Sequence, residues 1–208
     1  MMTNALVVYG GWEGHNPAGM AAFLAELLRQ AGIQATVTNS LDDLRHIQRD
    51  GFQLVVPVWT MEHLEAHLSN ALLDAVRAGV GIAALHGVID SFRHDAEFHY
   101  MLGGQWVTHF EFAVRTYTVA LHDGSNPITQ GLSDFEVTTE QYYLLVDPAN
   151  SVLATMPVDN TRMPVAWTKH YGSGRVFYCS LGHSIETVSH PSAQALIKRG
   201  MMWASGRG

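Results

Sequence analysis

The chain has 208 residues, of which 47% are hydrophobic and 15% are charged, and its formal net charge at pH 7 is -7. This length and composition suit one α/β globular domain over residues 1–208 and exclude a disordered chain, which would be more highly charged. The acidic balance and the scattered positions of the 12 Lys and Arg residues argue against a nucleic-acid partner.

Strand-like and helix-like hydrophobic patterns alternate through the first half of the chain. Asn16 and Pro17 predict the start of a helix, as a cap followed by a first-turn proline, and Gly32 predicts its end. A second helical stripe covers residues 64–76 and ends at Gly79. Apolar runs predict four strands, over residues 5–9, 33–38, 52–58 and 80–85. Such alternation builds βαβ units and predicts a mostly parallel central sheet with helices on both faces.

The pattern changes after residue 85. Residues 92–102 predict a helix, and the alternation over residues 110–121 predicts a strand in a small antiparallel excursion. The last helix is predicted to begin at 189–191. Its apolar Met201, Met202 and Trp203 extend beyond the stripe needed for the core, which indicates a homo-oligomer surface. Further strands are predicted over residues 137–145, 152–156, 164–168 and 174–181.

Cysteine usage and apolar run lengths predict the compartment. The single cysteine, Cys179, cannot form an intramolecular disulfide, and its apolar surroundings predict a buried thiol in a strand. The amino terminus lacks the features of a secretory signal, and no apolar run reaches transmembrane length. The sequence therefore predicts a cytoplasmic protein without a membrane partner.

His86 follows the fourth predicted strand, and Gly87 would allow the chain to turn sharply towards the next helix. In α/β hydrolases and class I glutamine amidotransferases, a Ser or Cys at such an elbow attacks a carbonyl. Imidazole at this position indicates acid–base chemistry, polar recognition or metal ligation instead. Motifs of the GxSxG, P-loop and GxGxxG types do not occur, so the sequence supports neither a Ser nucleophile nor a nucleotide site.

Further candidates follow other strands, because ligands of open α/β sheets bind beyond the carboxyl ends of the strands. His15 follows the first strand, Trp59 ends the third, and His183 follows the late strand. Any one of these histidines is more simply a surface or structural residue. Their recurrence at successive strand ends favours a shared site.

The antiparallel segment contributes His109 and Glu140. Gly103 and Gly104 would let the backbone approach closely, and Trp106 would provide an apolar wall, so we expect this segment to fold over the strand ends as a lid. On its own, Glu140 is more simply a solvated strand residue, because ionised carboxylates are seldom buried without partners.

Histidines with a carboxylate have two chemical uses. One is proton transfer, for which we expect His86, His183 and Glu140 as the catalytic groups. The other is ligation of a divalent metal such as zinc, for which His15, His109 and His183 are the candidate ligands. No HExxH motif supports the metal, so that hypothesis depends on spatial convergence.

Several segments together resemble the ThuA-like, or trehalose-utilisation, family of the class I glutamine amidotransferase-like superfamily. The resemblance implies a flavodoxin-like three-layer sandwich without the amidotransferase nucleophile, and a role in the metabolism of sugars or keto sugars. Two positions depart from the family pattern, Val88 after the elbow and Phe110 after His109. The segments that resemble the family are GGWEGHNP, ALHG, YMLGGQWVTH, NPITQGL, TTEQYYLL, PVAWTKHYGSGRVFYCSLGH and GMMWASG. The family pocket would surround His15, His86, His109, Glu140 and His183.

Three functions follow as hypotheses. The first is an isomerase, lyase or hydrolase that acts on a small polyhydroxylated substrate without a Cys or Ser nucleophile. The second is a non-catalytic sugar- or metabolite-binding protein, and the third is a metal-dependent hydrolase. In the first, the residues that bind the substrate are His15, His109, Trp12, Trp59 and Trp106, the indoles stacking on a sugar face.

Overall fold

The structure, a computed structural model, describes residues 3–122 and 124–207, and of residues 110–113 it describes the backbone alone. Strands and helices alternate through the first half, as predicted. They are β1 (Thr3–Gly11), α1 (Pro17–Gln30), β2 (Ile33–Thr38), β3 (Leu54–Thr60), α2 (Ala66–Arg77) and β4 (Gly81–Leu85). The predicted cap is confirmed, since the Asn16 side chain accepts a hydrogen bond from the Gly19 N–H at 3.2 Å.

The second half is mainly β structure. Its elements are α3 (Ala96–Leu102), β5 (Gly104–Leu121), β6 (Phe135–Val146), β7 (Ser151–Val158), β8 (Thr161–Tyr171), β9 (Gly174–Cys179), α4 (Ile185–Ser189) and α5 (Pro191–Ala204). The predicted helix over 92–102 is shorter than expected. Phe92 has a φ of 55°, which is not helical, and the Asp95 side chain caps α3 by accepting from the Phe98 N–H at 3.0 Å.

Nine strands form one sheet, in the order β2-β1-β3-β4-β9-β8-β7-β5-β6. The pairs from β2 to β9 are parallel, and the pairs from β9 to β6 are antiparallel. The α/β class is therefore confirmed, whereas the expectation of a mostly parallel sheet with a small antiparallel excursion is wrong in its proportions. Only residues 159–160 join β7 to β8, and only 172–173 join β8 to β9. Such short turns can join antiparallel strands but are far too short for a parallel crossover.

The β5–β6 ribbon extends from the sheet towards the ends of the parallel strands. β5 has 18 residues and pairs with β7 only through Ala120 and Leu121, at its end. Earlier parts of the ribbon pair only with each other and contact the short 3-10 turn at His86–Asp90, which follows β4. β1, β3, β4 and β9 are parallel, so their carboxyl ends meet at one edge, and the ribbon brings polar residues of β6 to that edge.

Two further expectations concern surfaces. Met201 is buried, and Met202 and Trp203 are partly buried against the core, so the homo-oligomer remains a prediction. Among the described helices, none combines the length and the apolar character needed to cross a bilayer.

Cys179 lies in β9 and is completely buried, as predicted, and this burial raises the pKa of its thiol to about 12. We therefore expect the folded protein to resist Ellman's reagent at pH 8, because almost no thiolate forms and the reagent cannot reach the sulfur. After unfolding in guanidinium chloride, one thiol per chain should react. Rapid labelling of the folded protein, with unchanged circular dichroism, would contradict this expectation.

Candidate functional site

His86 lies at a sharp elbow between β4 and the turn that follows it. Its φ is 46°, in the left-handed region that side chains other than glycine rarely adopt, and only 3% of the residue is exposed. A Cβ on the adjacent Gly87 would lie 2.3 Å from the Thr60 Oγ1, so only glycine fits there. The predicted elbow is thus present, with an imidazole where the elbow of an α/β hydrolase carries its nucleophile.

Backbone strain is concentrated at the same edge of the sheet. Six non-glycine residues in the described part of the chain have a positive φ, and five of them lie in the loops after β1, β3 and β4. Such conformations cost about 1–3 kcal/mol each and cluster at functional sites. The five are Asn16, Met61, Glu62, His86 and Phe92. Four of the five are not histidines, so backbone conformation adds a second kind of observation that marks this edge.

Hydrogen bonds determine the tautomer of His86. Its Nδ1 lies 2.9 Å from the Ser180 carbonyl oxygen, which can only accept, so Nδ1 bears the proton. Its Nε2 lies 2.8 Å from the Tyr142 hydroxyl, which donates to it when the ring is neutral. The tautomer with a lone pair on Nε2 is the one that can accept a proton from a substrate.

Glu140 lies between two histidines. Its Oε2 is 3.2 Å from His86 Nε2 and 3.4 Å from His183 Nδ1, and its side chain is only 12% exposed. Burial by itself would raise the pKa of this carboxyl, but the two adjacent imidazoles, His183 and then His86, outweigh burial and hold the pKa well below its usual range. Glu140 is therefore ionised at neutral pH and is not the solvated strand residue that its position alone would suggest.

His15 completes the group. Its ring centroid lies 4.7 Å from that of His86 and 5.3 Å from that of His183, and its Nδ1 is 2.9 Å from the Thr60 Oγ1. Burial, followed by the proximity of His86, lowers the pKa of His15 to about 4, so this imidazole is neutral at pH 7. The potential ligand atoms of the whole group all lie within 4.8 Å of one another, and the group is His15, His86, Glu140 and His183.

The predicted indoles lie at different distances from this group. Trp12 is 48% exposed, and its ring contacts that of His15 at 4.6 Å. Trp59 is half-buried and packs against Gly10, where a Cβ would come within 2.5 Å of the indole. Trp12 is thus available to a ligand, whereas Trp59 supports the loop.

Trp106 and His109 lie together on β5. Their rings are 5.7 Å apart, and the Trp106 ring is 6.3 Å from Tyr142. The Arg93 guanidinium lies 4.4 Å from the centre of the indole. His109 is exposed and lies outside the group of four, although it pairs with Tyr142 in the ribbon. The side chain of Phe110, a predicted departure from the family pattern, lies outside the described residues.

Three groups at the site escaped the sequence interpretation. Tyr142 could have been found, because alternate residues of a strand share a face and it lies two positions after Glu140. Thr60 follows Trp59 at the end of a strand, and this position alone is weaker evidence that it belongs to the site. Ser180 acts through its backbone carbonyl, which no residue pattern reveals.

The cavity beside the histidines is small. The cavity between His15, Trp59 and His86 has a volume of about 20 Å³, which is room for about one water molecule. A larger cavity of about 370 Å³ lies between α2 and residues 92–97 and includes none of the four residues. A substrate would therefore approach the histidines from the exposed side, where Trp12 lies.

Comparisons with known proteins give one family match and several fold matches. A family model described as ThuA, trehalose utilisation, matches residues 4–204. A ThuA-like protein structure from Bacteroides uniformis matches with a TM-score of 0.81 and 17% identity, covering 97% of this chain and 91% of that one. A Salmonella typhimurium structure described as a cytoplasmic protein matches with a TM-score of 0.69 and 13% identity, covering 99% and 98%.

The fold also matches part of a larger enzyme, the β-galactosidase of Bacillus circulans. The TM-score is 0.67 at 13% identity, over 98% of this chain and 30% of that one. No curated protein matches the sequence. Identities this low establish the fold alone.

Proposed function

The chain belongs to the ThuA family, described as trehalose utilisation, and from this we propose that it is an enzyme that acts on a sugar or keto sugar. His86, His183 and Glu140 perform acid–base chemistry in this proposal. The substrate is a small polyhydroxylated molecule, and the reaction is an isomerisation, an elimination or a hydrolysis without a Cys or Ser nucleophile.

The observation that best supports the proposal is the pair formed by His86 and Glu140. The Ser180 carbonyl holds His86 in the tautomer with a lone pair on Nε2, 3.2 Å from an ionised carboxylate. Nε2 accepts a proton from a substrate hydroxyl or from a carbon next to a carbonyl, and Glu140 stabilises the resulting imidazolium. His183, on the other side of the same carboxylate oxygen, returns a proton to the product.

Substrate recognition follows from the side chains that are exposed beside the site. The exposed Trp12 offers an apolar face for stacking on a sugar ring. His15, His109 and Trp106 bind hydroxyls and a second sugar face, and Trp59 shapes the loop behind them. This arrangement favours a flat, hydroxylated ligand over a polyanion, in accord with the net charge of -7.

The proposal also includes the setting of the enzyme. The parallel half has the order β2-β1-β3-β4-β9, in which β9 takes the place of the fifth strand in the 2-1-3-4-5 order of flavodoxin-like sheets. In this half α1 contacts α5 and α2 contacts α3. These contacts support a flavodoxin-like three-layer arrangement for that half, within one domain. A cytoplasmic location is proposed by analogy with the Salmonella structure.

A non-catalytic sugar-binding protein is the second candidate function. It is favoured by the hydrogen bonds of His86, whose two ring nitrogens both have partners within the protein. Such a site would keep its shape without turning over a ligand.

The experiment that tests the proposal is a panel of trehalose, glucose and their keto derivatives, followed by proton NMR. We expect one of these compounds to be consumed, and replacement of His86 by Gln to slow its consumption by about 10²–10⁴-fold, the usual contribution of a general base. His67→Gln, on the exposed face of α2, is the matched control and should retain full activity. Binding without turnover would replace the enzyme with the binding protein, and neither binding nor turnover would refute both.

A further inference from the structure

We propose that His15, His183 and Glu140 bind one divalent transition metal ion, zinc being the expected ion, and that His86 lies beside the metal without ligating it. The inference rests on the proposed function, because it concerns the same site and names its cofactor. It differs from the ligand set predicted from the sequence, which had His109 where the structure places Glu140.

The distance between His183 and Glu140 fits two ligands of one metal ion better than it fits a hydrogen bond. His183 Nδ1 lies 3.4 Å from Glu140 Oε2. This nitrogen is buried and has no hydrogen-bond partner within the described part of the chain. Zinc bonds of about 2.0–2.1 Å in a tetrahedron place neighbouring ligand atoms about 3.3–3.4 Å apart. The observed separation therefore matches one edge of a zinc coordination tetrahedron.

His15 is oriented as a third ligand. The Thr60 hydroxyl lies 2.9 Å from His15 Nδ1 and thereby holds the ring, which leaves Nε2 for a metal. Metal-ligating histidines usually have such a partner on the second nitrogen, because it sets the tautomer and the direction of the lone pair. His15 directly precedes Asn16, the cap residue of α1, which has a φ of 47°.

His86 is different because both of its nitrogens are already engaged. Nδ1 donates to the Ser180 carbonyl, and Nε2 accepts from the Tyr142 hydroxyl at 2.8 Å. Ligation by Nε2 would require the buried Tyr142 hydroxyl to lose this acceptor. We therefore assign His86 to proton transfer, next to the metal.

Two histidines and one carboxylate form a known kind of catalytic zinc site, in which a fourth position remains open to water or substrate. A metal at this position would polarise a sugar carbonyl or hydroxyl. His86, held 3.2 Å from Glu140, would then be within reach of a proton on the polarised group. With the metal bound, His183 and Glu140 hold the ion instead of transferring protons, and His86 alone keeps the proton-transfer role.

The test is zinc binding by tag-free protein, measured by elemental analysis after dialysis and by competition with a chromophoric chelator. We expect about one zinc per chain in the wild type and in His86→Gln. We expect the affinity for zinc to fall by at least about 10–100-fold in His15→Ala, His183→Ala and Glu140→Gln. Losing a residue that only hydrogen-bonds to a metal ligand already costs that much, so losing a ligand itself should cost no less. His67→Ala, at an exposed position of α2, is the control, and circular dichroism verifies that each variant is folded.

Three results would overturn the metal site. The first is that the wild type binds no stoichiometric zinc. The second is that His15→Ala or His183→Ala still binds zinc as the wild type does. The third is that folded His86→Gln no longer binds zinc. The outcome is separate from that of the proposed function. Turnover of a sugar by a protein that binds no zinc would refute the metal site and retain the enzyme, whereas zinc binding without any turnover would retain the metal site and refute the enzyme.

Discussion

Replacement of Glu140 by glutamine is expected to reduce sugar turnover by about 10³-fold, within the range for loss of a general acid–base group. Glutamine has the size of glutamate, but it lacks the negative charge that lies 3.2 Å from His86 and 3.4 Å from His183. Without that charge, an imidazolium formed at either histidine during proton transfer loses its stabilising partner. The measurement is kcat and KM on the sugar identified in the panel.

Glu136→Gln is the matched control for this substitution. Glu136 lies on the same strand and the same face, four residues before Glu140, but it is exposed. Glu136→Gln should leave kcat unchanged, because no histidine of the site depends on the Glu136 side chain. Equal losses in both variants, or full activity in folded Glu140→Gln, would contradict the role assigned to Glu140.

Replacement of Trp167 by alanine is expected to lower the free energy of unfolding by about 3–5 kcal/mol, as is usual for a buried tryptophan. The Trp167 side chain is completely buried in β8, where its ring lies 4.4 Å from that of Tyr178 in β9. Its Nε1 donates to the Leu102 carbonyl at 2.8 Å, at the end of α3. This residue therefore connects the antiparallel half of the sheet to the parallel half and to a helix.

Urea unfolding monitored by circular dichroism measures this loss. A decrease of that size is a large part of the 5–15 kcal/mol that stabilises a typical domain, so the variant should unfold at a much lower urea concentration. Trp12→Ala removes an indole that is 48% exposed and should leave the midpoint nearly unchanged while raising KM. A midpoint for Trp167→Ala equal to that of the wild type would show that the indole is not needed to join the two halves.

The order of strands and helices in the first half follows from local patterns. Asn16 and Pro17 start α1 as predicted, because a cap and a first-turn proline act within one turn of helix. The elbow at His86 was equally predictable, since it needs only an apolar strand followed by glycine. The second half was predicted less well because the sequence shows where turns occur but not how far a strand such as β5 continues on either side.

The site likewise combines residues that a local sequence pattern can identify with residues that only the fold brings to it. His15, His86 and His183 each follow a strand of the parallel half, so the rule that ligands bind at strand ends selects them from the sequence alone. Their partners Glu140 and Tyr142 belong to β6, which lies at the opposite edge of the sheet from β2. No local pattern predicts that the β5–β6 ribbon reaches the elbow.

The sequence by itself determined the α/β class, the elbow, the absence of a nucleophile there and the histidines at the strand ends, because each depends on neighbouring residues and on periodicity. Only the tertiary structure decided that Glu140 lies between His86 and His183 and that His109 remains outside. These contacts join residues more than 40 positions apart, and they depend on strand pairing and burial. Strand pairing also determines the ionisation of Glu140, since the low pKa of its carboxyl is caused by His183 and His86, which lie beside it only in the folded chain.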